Sequence, residues 1–295
     1  MRVIADHWMR FWFAPSTPVN LALCRILCFG AFVVLHARYD VAAWGELPDE
    51  LWMPIPLFET LHVPKPAPGP LWVVAAVWKA ALVASCVGLF TRAATSVSAV
   101  LGLYILGLPH NFGITDHANA LEVWVLAIMA LSKCGDALSL DRVMARSKRR
   151  APIPPSGEYT WPVRCVWLMF ALIFFASGYS KLRTSGPAWI TSENFARLMM
   201  REANTGLLAA WASALARHSW AVRTLAAVTV ALEISYPLTL VSQRARFAIV
   251  PGIFLIQVGI LLTMGLAFYP FLICSLFWVP WDRVIVAGGR RLTGS

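Results

Sequence analysis

Lys181 closes an apolar run that begins near Trp161, and His117 opens another. At 1.5 Å per helical residue the lysine emerges about 30 Å from Trp161, at the outer rim where His117 also falls. An amine in an apolar, partly desolvated pocket loses its proton more readily and can act as a neutral base, while a nearby imidazole can orient a substrate or relay the proton. The stretch Pro109-His110-Asn111-Phe112-Gly113-Ile114-Thr115-Asp116-His117 gathers two histidines, an aspartate and an asparagine without one Lys or Arg. Any chemistry is expected at this outer mouth. His110 and His117 lack a third ligand at suitable spacing, so no metal is expected. Against the catalytic reading stands a simpler one, in which Lys181 snorkels to lipid head groups and His117 caps its helix.

Four more ionisable residues interrupt apolar runs, and a charge there is costly unless it has a partner or a function. Arg25 lies about 9 Å in from the cytoplasmic side and Glu233 about 21 Å down from the outer side, the same level in a core of about 30 Å. They are expected to pair. By the same arithmetic Lys79, about 12 Å from the outer surface, and Glu122, about 8 Å, form a second expected pair. Fixing helix register is the reading set against a functional role for both pairs.

The elements that must position these residues are membrane spans. Hydrophobic residues make up 59% of the 295 and charged residues 14%, whereas charged residues fill about a quarter of a soluble chain. Barrel strands would show ~10-residue alternation, and none is visible. The expectation is an all-α polytopic bundle forming one domain over 1–295, with spans near 19–37, 71–90, 93–109, 117–134, 161–182, 219–241, 246–267 and 268–286. Placing the N-terminus in the cytoplasm puts fifteen of the 25 basic residues inside and seven outside, leaving Arg25, Lys79 and Lys181 within spans. The positive-inside rule favours that orientation, with both termini cytoplasmic in the cell membrane. No cleavable signal peptide is evident, because the first apolar run carries Arg25 and follows an aromatic lead.

A formal net charge of +10 raises the question of nucleic acid, but the basic residues are scattered among apolar spans and none is expected as a partner. The basic run Arg142 to Arg150 reads as a topology determinant, with attraction to anionic head groups as the alternative. The six cysteines show no CxxC pair and read as packing residues. The outer connection 184–218 is too long and apolar for a plain loop. Ser192 can cap one short helix and Gly206 begins a second apolar segment through Trp211, giving two short helices expected to roof the outer face.

Three stretches carry a family resemblance: Asn111 to Asn119; Lys133-Cys134-Gly135-Asp136-Ala137-Leu138-Ser139-Leu140-Asp141; and Phe175-Ala176-Ser177-Gly178-Tyr179-Ser180-Lys181-Leu182 followed by Trp189. They resemble the horizontally transferred transmembrane (HTTM) domain, the membrane portion of vitamin K-dependent γ-glutamyl carboxylase. Arg25 and Glu233 also look like family features. The resemblance implies Lys181 as the base that deprotonates reduced vitamin K and His117 as its helper. It further implies His110, Asn111, Asp116, Asn119, Trp189 and Gln257 as substrate-binding residues. The cofactor so implied is vitamin K hydroquinone or another quinol, held in a pocket that excludes water. The chain departs from the carboxylases in lacking their extracytoplasmic β-rich region, and Gln257 alone represents the polar pair of the seventh span. The expected function is a carboxylase-like membrane enzyme, a lyase or quinol-linked oxidoreductase, acting on a lipid-soluble substrate. The rival is a non-enzymatic membrane factor for export, maturation or immunity of a small secreted peptide.

Overall fold

The computed structural model describes residues 2–114, 117–145, 153–202, 206–266 and 268–285. Among them all regular structure is helical, apart from one isolated antiparallel bridge between Ser16 and Ser156. The basic run's Arg146 to Arg150 lies outside the described residues. Contacts divide the chain into two compact units, Met1–Val166 with Val279–Ser295, and Trp167–Trp278.

The first unit holds α1 (Arg2–Phe13), α2 (Pro18–His36), α3 (Pro56–Thr60), α4 (Pro68–Val87), α5 (Thr91–Gly107), α6 (His117–Leu131) and α7 (Leu140–Met144). Proline opens α2, α3 and α4, where its fixed φ suits the helix and its missing N–H is no loss. α2 packs beside α4, α4 beside α5 and α5 beside α6. Their shared interior is apolar, with Phe29, Phe32, Trp78, Leu82, Ile105 and Val125 fully buried. α4 ends at Gly88, whose φ is +73°, and a Cβ there would overlap Ser139. Only glycine meets both demands at low cost. The next helix is capped from a distance. Asp141 accepts the Phe90 and Thr91 amides and the Thr91 hydroxyl, each at 2.7 Å. Burial alone would raise the Asp141 pKa, but these bonds and the Arg25 charge outweigh it and hold the carboxyl below its ordinary value.

α8 (Trp161–Ser185) begins in the first unit and continues into the second. The second unit adds α9 (Ala188–Thr191), α10 (Asn194–Glu202), α11 (Ala209–Ala216), α12 (Ser219–Ser235), α13 (Leu238–Val241), α14 (Gln243–Met264) and α15 (Tyr269–Cys274). The two short helices expected within 184–218 are α10 and α11, and the Ser192 hydroxyl accepts the Asn194 amide at 3.3 Å. They pack through Ala196, Met199, Ala212 and Ala216 against Val222 of α12 and Met264 of α14.

Five helical stretches are long and apolar enough to cross a membrane: Pro18–His36, Pro68–Val87, Thr91–Phe112, Gly157–Ser185 and Gln243–Met264. Asn119–Leu131 and Tyr269–Trp278 are apolar but shorter, and α12 has 17 residues. The expected eighth span is not one helix. Gly265, with φ +66°, ends α14, and Pro270 lies in the first turn of a six-residue α15 that tightens into the 3-10 turn Ser275–Trp278. This segment nevertheless returns alongside α14. Leu262 near one end of α14 accepts the Leu208 amide, whereas the Trp278 ring lies 5.7 Å from the guanidinium of Arg246, near the other end. Residues 246 and 264 are about 27 Å apart along a helix. Aromatic contacts hold the segment in place: Phe271 lies tilted against Phe174 at 5.5 Å, and Trp278 stacks on Trp167 at 4.3 Å.

Candidate functional site

α8 and α12 meet where Gly178 faces Glu233; a Cβ on that glycine would come within 2.9 Å of the Glu233 Cβ. The close approach brings Glu233 onto Lys181, one turn further along α8. Lys181 Nζ donates to both carboxylate oxygens at 2.6 Å and to the Ser177 hydroxyl at 2.8 Å. Three contacts match the three donors of an ammonium. The Trp189 ring covers the same nitrogen, its centroid 5.2 Å away, a cation–π geometry. The side chains are 22% and 8% exposed for Lys181 and Glu233. At such burial the charges act on each other through a low effective dielectric, and passing one proton from nitrogen to oxygen neutralises both groups.

This arrangement corrects two expectations. Lys181 is not a lone amine, since Glu233 of α12 is its carboxylate partner. Glu233 in turn is the partner of Lys181 and not of Arg25. Arg25, fully buried, donates from Nε to Cys134 O at 3.1 Å and from its terminal nitrogens to Ser85 O at 2.5 Å, Cys86 O at 2.6 Å and Leu138 O at 2.7 Å. Ser85 and Cys86 lie in the last turn of α4, whose carbonyls have no partner within the helix and carry its partial negative charge. The described hydrogen bonds of Arg25 thus all go to carbonyls, and the acid that shares its field is Asp141 rather than Glu233.

The second expected pair also changes. Glu122, fully buried, binds His36 Nε2 at 2.7 Å. Lys79 donates instead to the Ala37 and Tyr39 carbonyls at 3.3 and 2.9 Å, closing the C-terminal end of α2. His36 also packs on Trp78, ring centroids 4.9 Å apart.

Of the other predicted site residues, Trp189 is brought to Lys181. Gln257 belongs to the same unit. Its side-chain oxygen is buried with no hydrogen-bond partner, but it lies about 140° around α14 from Gly252, the residue that faces Leu232. Asn111 is fully buried and wholly engaged. It accepts the Ile55 amide at its side-chain oxygen, donates to Gly107 O, and accepts the Met53 amide at its own carbonyl. It staples the 53–55 segment, a structural role within the first unit. His110 lies in the turn Leu108–Phe112 and Asn119 on α6, both half-buried in the first unit. Asp116 and the side chain of His117 lie outside the described residues. No group of three or more His, Cys, Asp or Glu able to hold a metal occurs among the described residues.

Sequence reasoning passed over two participants. Ser177 stands one helical turn before Lys181, a spacing that places both on one face. His36 ends α2 and carried no comparable signal. Neither a family model, nor a characterised protein, nor a solved structure matches the chain.

Proposed function

We propose that the chain is a polytopic membrane protein whose second unit transfers a proton to and from a lipid-soluble, hydroxyl-bearing aromatic substrate of the quinol class, in the manner of the carboxylase-like HTTM domain. The observation that carries this reading is the Lys181–Glu233 pair, shielded from water and bounded by an aromatic face. The residues suit such a ligand. Trp189 offers an indole face to a planar ring, and the pair offers a proton acceptor. A bound quinol would supply an acidic hydroxyl and reducing electrons. The chain's part is to move the proton. Lys181 Nζ passes one of the protons it shares with Glu233 to the carboxylate and accepts the hydroxyl proton in its place, while Ser177 fixes the amine.

Eight passes with both termini cytoplasmic accord with the return of 265–278 along α14 and with the Trp281 amide donating to Asn20 near the start of α2 at 2.8 Å. The non-enzymatic reading draws on one observation, the complete engagement of the Lys181 donors, which also suits a purely structural pair.

The test uses purified protein in lipid nanodiscs with a reduced naphthoquinone as probe. With dissolved dioxygen as the electron acceptor, faster quinol oxidation than in empty nanodiscs is expected, and loss of that acceleration in a normally inserted Lys181→Met variant. Equal rates in variant and wild type would remove Lys181 from the chemistry. No acceleration by either would remove the quinol reading.

A further inference from the structure

α2 stops at His36 while α4 runs on past it, and the step between them is a groove of about 410 Å³ in the first unit. That volume is in the usual range for a small-molecule site. One wall is α4, with Trp72, Ala76 and Lys79; the other is the turn Arg38-Tyr39-Asp40. The charges are ordered. Arg38 is exposed and Lys79 half-buried, while exposed Asp40 accepts only the Ala42 amide at one oxygen among its described bonds. Lys79 makes two hydrogen bonds and has a third donor to offer. Below the groove, Ala76, Ala80 and Val83 follow at i, i+4 and i+7 on α4, all exposed. This spacing makes one continuous apolar stripe. Two cations beside a single acid, a Trp and a Tyr at the lip, and an apolar track leading away match one kind of molecule.

We infer that this groove binds a zwitterionic phospholipid with a primary-amine head group, its phosphate on Arg38 and Lys79, its ammonium on Asp40, and one acyl chain along Ala76, Ala80 and Val83. A choline head group carries no N–H to donate to a carboxylate, and a glycerol head group carries no positive charge for it. The site therefore discriminates among lipids of equal chain length. The inference rests on the membrane reading above but not on the chemistry at Lys181.

Native mass spectrometry of the intact protein, released from detergent after incubation with equal amounts of ethanolamine, choline and glycerol phospholipids of identical chains, reads the preference directly. One ethanolamine lipid is expected to be retained about tenfold over the others, the worth of one charge-assisted hydrogen bond. Asp40→Asn should abolish the preference for the amine, and Arg38→Gln should weaken retention of all three lipids. Equal retention by wild type, or a preference unchanged in Asp40→Asn, would overturn the inference. Inorganic phosphate competing the lipid away would show a plain anion site instead and also overturn it. If the protein were released from membranes by carbonate extraction, the membrane reading itself would fail; a protein that stays in the membrane without lipid preference would sink this inference alone.

Discussion

Replacing Arg25 by leucine removes the donors of four hydrogen bonds and leaves the carbonyls of Ser85, Cys86, Cys134 and Leu138 to find others. Bonds to a charged donor contribute about 1.5–3 kcal/mol each, so four sum nominally to about 6–12 kcal/mol. Release from the cost of burying a guanidinium offsets much of this, and losing one side of a buried charged network typically costs about 3–5 kcal/mol. That is the loss expected for Arg25→Leu. Arg25→Lys should recover little, because three donors on one nitrogen cannot reach carbonyls from two separate chain segments. Equilibrium unfolding of the detergent-solubilised protein with increasing mole fraction of sodium dodecyl sulfate measures the difference. Adding Glu233→Leu should give a further, independent loss, since Glu233 has Lys181 as its partner. An Arg25→Leu loss under about 1 kcal/mol, or rescue by Glu233→Leu, would refute the carbonyl clasp.

The Lys181–Glu233 pair should behave oppositely: Lys181→Met and Glu233→Gln together should cost less than the sum of the two, with a coupling of about 1–3 kcal/mol in the same unfolding assay. Asp141→Asn should destabilise by about 1 kcal/mol at pH 7, as for loss of a helix cap. The Asp141 carboxyl is held below its ordinary value of 3.8 when folded. Its contribution is therefore fully present above that value and lost as pH falls through the lower, folded one, so the gap between wild type and Asp141→Asn should close in acid. Gly88→Ala places a side chain in the left-handed region against Ser139 and should cost at least about 1–2 kcal/mol, read as a shifted thermal midpoint.

Helical periodicity and apolar length make the elements legible, and five of the eight expected spans fall on helices long and apolar enough to cross a membrane. Proline and glycine marked where α2, α4 and α14 begin or end. The partners of the buried charges were not legible, for two physical reasons. Depth counted along a helix does not say which side chains of two helices meet, as Lys181 and Glu233 do. Backbone carbonyls have no sequence signature, so the clasp around Arg25 and the Lys79 bonds to Ala37 and Tyr39 could not be anticipated from side-chain types. Asn111 looked like a ligand because polar residues in apolar surroundings invite that reading, yet its hydrogen bonds are used locally.

The broken return from Gly265 to Trp278 bears on biogenesis. A stretch of backbone that does not close its own ladder of hydrogen bonds is poorly received by hydrocarbon, so it is unsuited to leave an insertion channel alone. On the membrane reading proposed above, it would enter once α8 is in place to supply the Trp167 indole N–H to the Phe277 carbonyl and aromatic surfaces to pack on. Assembly of the second unit would then finish with this C-terminal piece.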